Sequence, residues 1–540
     1  MKFKLSCQGI LKYSIAVALF SLPAGVMANG GIQTSGSTNT QVDHVGNTPV
    51  INIAKPEGGI SHNQYNQYNV TSAGAVLNNS TQSQLQSQLL QQLIASNPNL
   101  TEGAASVILN EVISQNPSLL NGAQEILGQS ADLILANPNG ITCSGCEFIN
   151  TNAASLVVGK VDFTKSGLKY NTFKNQNRLS ITESGVRGSE TLNLIAPSIN
   201  ADGPVKANRN INAVAGNNIV DQKTLAVEET EQSSESLIDS YFLGGMVSGR
   251  IQLVSTHAGS GVNVSGKVKG SDIDLNAKGD LRLNAASVGD KSTERVNLVG
   301  KNVDSSGNIT TTTSTVKDGD NRDGFLRHNK YGETTTSTQK IERSSISGKN
   351  INIGAREGAF LKATQVSGDQ VAISGKNVDL SDQKITQTTD RTNNNWYLSW
   401  RSDYNKQTTE QTSVGTEINA ANITVNATGG DVTVKGSQLN ASQSANVSAQ
   451  GDVKLLGSIT QNSTQESGYK RNDGAELKTG SWKESNTVET SNASSINAGQ
   501  NINISAKNNV TTRNAQLTAN DVNISAGQTV SIGADKTTNT

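Results

Sequence analysis

The sequence predicts an all-β fold built as a β-solenoid, and three observations carry that prediction. The first is repetition. Asn-Ile-Asn-Ile at 350–353 is followed by Gln-Val-Ala-Ile at 370–373, and Asn-Ile-Asn-Ile at 501–504 by Asp-Val-Asn-Ile at 521–524, a step of 20 residues both times. The second is alternation: DIDLNAKGDLRLNA (272–285), NINAVAGNNIV (210–220) and the run from Asn422 to Ser458 place Ile, Val and Leu at every other position between Gly, Asn and Asp turns. Period two within strands and about 20 between coils is the signature of stacked rungs. The third is composition. With 16% charged and 4% aromatic residues and 51 glycines, a compact core rich in Leu and Phe is not expected. The β-branched residues fall in alternating runs, which argues against disorder. At about 20 residues per coil and ~4.8 Å per rung, some 400 residues outside insertions would make a rod of roughly 100 Å.

From the N-terminus, residues 1–28 read as a signal peptide. Lys2, Lys4 and Lys12 form a basic region, Ser14 to Leu22 an apolar run, Pro23 a breaker and Val26-Met27-Ala28 a cleavage site. The expected mature chain begins at Asn29. No later run approaches about 18 apolar residues, so a product released from its leader is expected. Cys7 leaves with the leader, and Cys143 and Cys146 remain.

The next segment differs from the repeats and is expected to be a cap. Leu85, Leu89, Leu90 and Leu93 are spaced for one short amphipathic helix over Gln82–Ala95. Residues 104–149 mix helical spacing with β-branched runs ended by Asn-Pro. Short strands are expected there, because proline disfavours helix in the preceding residue. Asn137-Pro138-Asn139-Gly140 is turn chemistry, proline fixing φ while Asn and Gly tolerate the left-handed region. Cys143 and Cys146 follow as C-x-x-C. In an exported chain this reads as a small disulfide loop before a zinc half-site or a redox pair, since neither a second half-site nor a βαβ context is present.

Three insertions interrupt the repeats at about 309–345, 384–414 and 459–493. Each flanks a Gly-, Asn- or aromatic-rich centre with Thr/Ser-rich arms and is read as an extrahelical β-hairpin. Trp396, Leu398 and Trp400 are expected to alternate onto one face, with Trp482 in the third insertion. These aromatics serve either packing against the rod or contact with a receptor or membrane.

Enzymatic chemistry finds no support in the residues. His44, His62, His257 and His328 are dispersed, with no metal spacing or nucleophile motif beside them. No phosphate loop is present, and no catalytic residue, metal site or cofactor is expected. A net charge of −1, from 44 basic and 45 acidic residues without a basic block, gives no reason to expect nucleic acid as a partner.

ISHNQYNQYNV (60–70), GAVLNN (74–79), NPNL (97–100), ILNEV and NPSLLNG (108–122) and NPNGITCSGCEFINT (137–151) together resemble the secretion domain of two-partner secretion exoproteins. LGGMVSGRIQLVST (243–256) resembles the next landmark of that family, and the later repeats resemble hemagglutinin repeats. The cysteine pair is similar to the branch of pore-forming hemolysins and contact-dependent growth inhibition exoproteins rather than to filamentous hemagglutinin. The resemblance implies a right-handed parallel β-helix with an N-terminal cap and a secretion domain over 29–265, densest in motifs at 46–165. Hemagglutinin repeats would fill 266–540.

It also implies recognition in the periplasm by a dedicated outer-membrane transporter, folding outside the cell, and a location in the medium or on the bacterial surface. Asn97, Pro98, Asn99 and Leu100, and Asn137, Pro138, Asn139, Gly140 and Ile141, match the family's two recognition motifs. Their other reading is as turn residues that stabilise the cap. The expectation is that Asn97 acts more on recognition and Asn137 more on folding. The function implied is of hemolysin/hemagglutinin type, a cytolysin or an adhesin meeting a host or target cell surface. The alternative is a growth-inhibition stem without its effector domain. The sequence stops in mid-pattern at Gly533–Thr540, and the expectation is a fragment or shortened member, with any effector beyond residue 540.

Overall fold

The computed structural model describes residues 31–231, 239–322, 328–397, 400–472 and 477–540. The leader with Cys7, and Leu398, lie outside the described residues. Every regular element described is a strand, and no described helix is long and apolar enough to cross a membrane. The chain is a parallel β-helix with three sheets running along its axis. In the longest, fifteen strands from Ile60–Tyr68 to Asp521–Ala526 are joined by fourteen parallel ladders. At ~4.8 Å per rung this spans roughly 70 Å. The expected 100 Å was too long because outer strands, corners and hairpins take residues that were assigned to rungs.

Alternation explains the repeated Asn-Ile-Asn-Ile. Ile211, Ile251, Ile273, Val296, Ile351, Val371 and Ile423 stack in direct register on successive rungs and are all buried. Ile502 and Ile504 are likewise buried. The intervening asparagines point outward and hydrogen-bond up the stack: Asn352 Nδ2 donates to Asn297 Oδ1 at 2.7 Å, Asn503 to Asn446 at 2.9 Å and Asn523 to Asn503 at 3.0 Å. Each residue type thus meets its own kind one rung away, dispersion inside and an amide ladder outside.

The N-terminal cap runs directly into the rod. Thr48–Asn52, Ala75–Asn79 and Ala123–Gly128 already pair in parallel. The antiparallel elements at this end are Ile32–Thr34 on Ile60–Tyr68 and Gln41–Val45 on Thr48–Asn52. Residues 104–149 read ambiguously in the sequence because strands there, such as Val107–Val112 and Ala131–Ala136, are covered on both faces. A four-stranded antiparallel sheet, Lys160–Thr164, Gly167–Asn171, Asn218–Asp221 and Val227–Thr230, lies on the outer face of the long sheet. It buries Leu109, Ile134, Val157, Ile195 and Val214 against Val161, Leu168, Tyr170 and Val220. Strands covered on both sides lose their alternation and become continuous apolar runs.

Within that outer sheet, Lys169 Nζ bridges Asp221 Oδ2 at 2.7 Å and Glu228. The lysine, followed by the Thr224 backbone and side chain, holds the Asp221 carboxyl well below the usual range. A lowered folded pKa means a contribution complete above the unfolded value of about 4 and lost as pH falls toward the folded one. Acidification from pH 5 to 3 is therefore expected to speed amide exchange in 218–230 beyond its intrinsic change, while 250–255 stays protected. Unchanged protection of 218–230 would refute this.

The helix expected over Gln82–Ala95 is not formed. Gln84–Gln86 and Leu93–Ala95 pair as an antiparallel hairpin. The buried Glu125 carboxylate takes the backbone N–H of Gln88 at 2.7 Å and Leu89 at 3.0 Å, and the Ser87 hydroxyl. Gln91 turns the chain at φ +54°. Leu85, Leu89 and Leu90 share one side with Ile94 and pack on Val50, Val76 and Leu127, whereas Leu93, expected on that side, is exposed. Three of the four leucines are on the packed side, but tertiary hydrogen bonds to Glu125 set the backbone and turn the fourth outward.

The three insertions form hairpins: Asn308–Arg322 with His328–Glu342, Gln383–Tyr397 with Trp400–Val414, and Ser458–Asn472 with Leu477–Asn492. Neighbouring hairpins also pair, giving one six-stranded antiparallel sheet, a flap. The spacing explains why. Two rungs of the long sheet, Asn350–Ala355 and Gln370–Gly375, separate the first hairpin from the second, and two more, in Glu417–Ala427 and Gln438–Ala449, the second from the third. Two rungs rise ~9.6 Å, the width of a two-stranded hairpin, so the three lie edge to edge in hydrogen-bonding range.

Candidate functional site

The two Asn-Pro motifs adopt the same turn. In the first, Asn97 Oδ1 accepts the backbone N–H of Asn99 at 2.9 Å, and Leu100 N–H bonds to Asn97 O at 3.2 Å. In the second, Asn137 Oδ1 accepts the Asn139 N–H at 2.9 Å, and Gly140 N–H bonds to Asn137 O at 3.3 Å. Gly140 sits at φ +107°, where a side chain would be strained. The proline carries no N–H and leaves no donor to satisfy at the turn's second position.

Both leading asparagines face inward. Asn97 is 4% exposed and donates to Ile53 O at 3.0 Å and Asn78 O at 2.9 Å. Asn137 is fully buried and donates to Asn116 O and Ser118 Oγ, 2.9 Å each. Each amide therefore ties one coil to another while closing its own turn. The two asparagines, expected to weigh differently on recognition and folding, have alike surroundings. What the first turn offers to solvent is Pro98, with Asn99 half-buried and Leu100 buried; in the second, Pro138 and Asn139 are half-buried and Ile141 is buried. The two turns have no hydrogen-bond partner in common.

Around the second turn the structure adds residues that the sequence reading missed. Asn139 Nδ2 donates to Ser114 O at 2.8 Å, and the Pro138 carbonyl accepts from Asn175 at 3.0 Å and Asn177 at 2.8 Å. Asn177 N–H in turn bonds to Asn175 Oδ1 at 2.9 Å, repeating the Asx turn one coil on. The signal was the Asn-x-Asn spacing common to 97–99, 137–139 and 175–177, with or without proline.

Cys143 and Cys146 are joined by a disulfide with Cα atoms 5.5 Å apart. Both are buried in the main core, with Gly145 between them at φ +73°. Cys143 ends a strand of one sheet and Cys146 starts a strand of the next, so the bond spans a corner. For so short a loop the chain-entropy estimate is about 2 kcal/mol. The Cys143→Ala, Cys146→Ala double variant is expected to lose about that much local stability yet keep the rungs on either side, as hydrogen exchange would report. Global unfolding would contradict a local role.

The aromatics do not share a face as expected. Tyr397 pairs with Trp400 and Trp396 with Arg401, because the chain reverses between them, and period-two counting fails across a reversal. Trp400 stands on one face of the flap with Tyr404 and Trp482, Trp396 on the other. Trp482 lies over Gly468, its cross-strand partner, with its ring 5.9 Å from Tyr404.

Comparison with known proteins matches residues 26–283 to the TPS secretion domain and 398–540 to the hemagglutinin repeat. A hemolysin of Proteus mirabilis is 37% identical over 99% of this chain. The chain belongs to the two-partner secretion exoproteins. A hemolysin of Serratia marcescens is 36% identical over 99% of the chain, and the 16S rRNA endonuclease CdiA of Enterobacter cloacae 31% identical over 82%. The chain spans about a third of the length of the two hemolysins, 32% and 33%, and 14% of the endonuclease. Among the described residues of this chain there is no group of three His, Cys, Asp or Glu side chains able to hold a metal ion.

Proposed function

We propose that the chain is exported by two-partner secretion as an exoprotein of hemolysin/hemagglutinin type. Residues 1–28 would direct export, 29–265 would engage the periplasmic domains of a dedicated outer-membrane transporter, and 266–540 would form the presented rod. The match of 26–283 to the secretion domain carries this reading. The architecture supports it: along the long sheet each strand pairs only with the strands of adjacent coils, so folding can propagate outward from the first coils without an energy source. The Asn-Pro turns then act by building those first coils, with Pro98 as the solvent-facing element of the first motif.

Co-expression tests the proposal. The chain should reach the medium or cell surface only when its transporter is present, and deletion of 29–265 should leave it in the periplasm. Secretion without the transporter would overturn it. A second reading, the stem of a growth-inhibition toxin, draws on the likeness to the CdiA endonuclease. A cytolysin or adhesin would lyse or bind erythrocytes, whereas a stem would act only on neighbouring bacteria and only with an effector attached.

A further inference from the structure

The flap carries a second candidate site, independent of secretion. Near its free end a cavity of about 340 Å³ opens on the face opposite Trp400 and Trp482, and Tyr331, Asn394, Trp396, Arg401, Asp403 and Tyr469 are among its lining residues. Strand register places them together. Tyr331, Asn394, Asp403 and Tyr469 form one row across four strands, and Trp396 and Arg401 stand two positions further toward the tip. The first hairpin supplies one ring, the second the floor and the third another ring, so the site exists only because the hairpins pair.

The polar groups are already organised. Asn394, oriented to satisfy both neighbours, donates to Asn393 O and Asp403 Oδ1, 3.1 Å each. The Tyr469 hydroxyl is bonded to the same carboxylate, which raises its pKa. The lining therefore presents rings beside an acceptor-only carboxylate, a donor-only guanidinium and an amide that does both. Arg401 and its register partner Arg471 are set against Asp403 and Glu333 on the same face, which leaves no net attraction for an ionic headgroup. A ligand matching this set has an apolar face to lie on a ring and a rim of neutral groups that both donate and accept, which describes a hexopyranose.

We propose that this face of the flap binds a neutral hexopyranose of a surface glycan, stacked on Trp396 and hydrogen-bonded by Asp403 and Arg401. The test uses the secreted chain and the methyl glycosides of glucose, galactose, mannose and N-acetylglucosamine, followed by saturation-transfer NMR and calorimetry. At least one should bind with a dissociation constant on the order of 1 mM, as suits so small a ligand. Trp396→Ala and Asp403→Asn should each weaken binding tenfold or more. Trp396→Phe, which keeps a ring and controls for collapse of the flap, should retain most of it, and Trp400→Ala on the opposite face all of it. Glycolipid vesicles and a glycoprotein bearing the same sugar then distinguish the source. Failure of all four glycosides to bind, equal loss in Trp400→Ala, or equal binding to plain phosphatidylcholine vesicles would overturn the proposal.

Discussion

Asn137→Ala is expected to lower the stability of the coils around residues 107–181 by about 3 kcal/mol and to abolish most secretion. The substitution removes two donated bonds and two accepted ones from a fully buried side chain. It strips the buried Ser118 hydroxyl and the half-buried Asn139 N–H of those partners, and a polar group left without a partner inside the fold costs about 1–3 kcal/mol. Asn97→Ala should behave alike, since its amide likewise donates two bonds and accepts the N–H that closes its turn. Hydrogen exchange of the mature chain reads the opening free energy locally, which suits a rod that need not unfold in one step. Pro98→Ala is the informative companion. It should leave exchange unchanged, and a fall in transporter binding with it would assign recognition to the exposed part of the turn. Wild-type secretion by all three variants would remove the motif's role altogether.

Gly244→Ala should be nearly as damaging, at about 3 kcal/mol, although it adds one methyl group. A Cβ at Gly244 would lie 2.1 Å from the backbone carbon of Gly203, and one at Gly203 only 2.0 Å from Thr182 O. Backbone cannot yield as a flexible side chain can, so a corner shared by successive coils must open. The cost should show as lost protection at 203–206 and 244–247 together. A variant that melts and exchanges like wild type would show that the coils slip past one another at no cost.

That pair of glycines also marks what the sequence disclosed. LGGM was visible as a landmark, but its reason, two backbones in contact across 41 residues of chain, appears only when the coils are stacked. Rungs of the Asn-Ile-Asn-Ile kind were legible because inside and outside alternate there without interruption. The segment around Ile108, Ile134 and Ile195 was not, because the outer sheet makes both faces apolar. The Gln82–Ala95 stretch misled for a different reason: Leu85, Leu89 and Leu90 do share a side, and only a distant carboxylate, Glu125, decides that the backbone is a hairpin with Leu93 outward. The Asn-Pro turns were recognisable by composition. Burial of their amides was not, since a turn residue can face either way. The hairpins were found one at a time, and their union was hidden because it depends on counting rungs between them rather than on any residue.

The even spacing of those hairpins limits how such a chain can lengthen. They begin at Asn308, Gln383 and Ser458, 75 residues apart each time. Duplicating a 75-residue block would add coils and hairpin in phase, extending the rod and its flap together. Removing a single 20-residue coil between two hairpins would halve the rise that separates them and press two hairpins into the room of one. Growth and shrinkage of this part of the molecule are thus quantised, and the unit that can be copied or lost without penalty is the block rather than the coil.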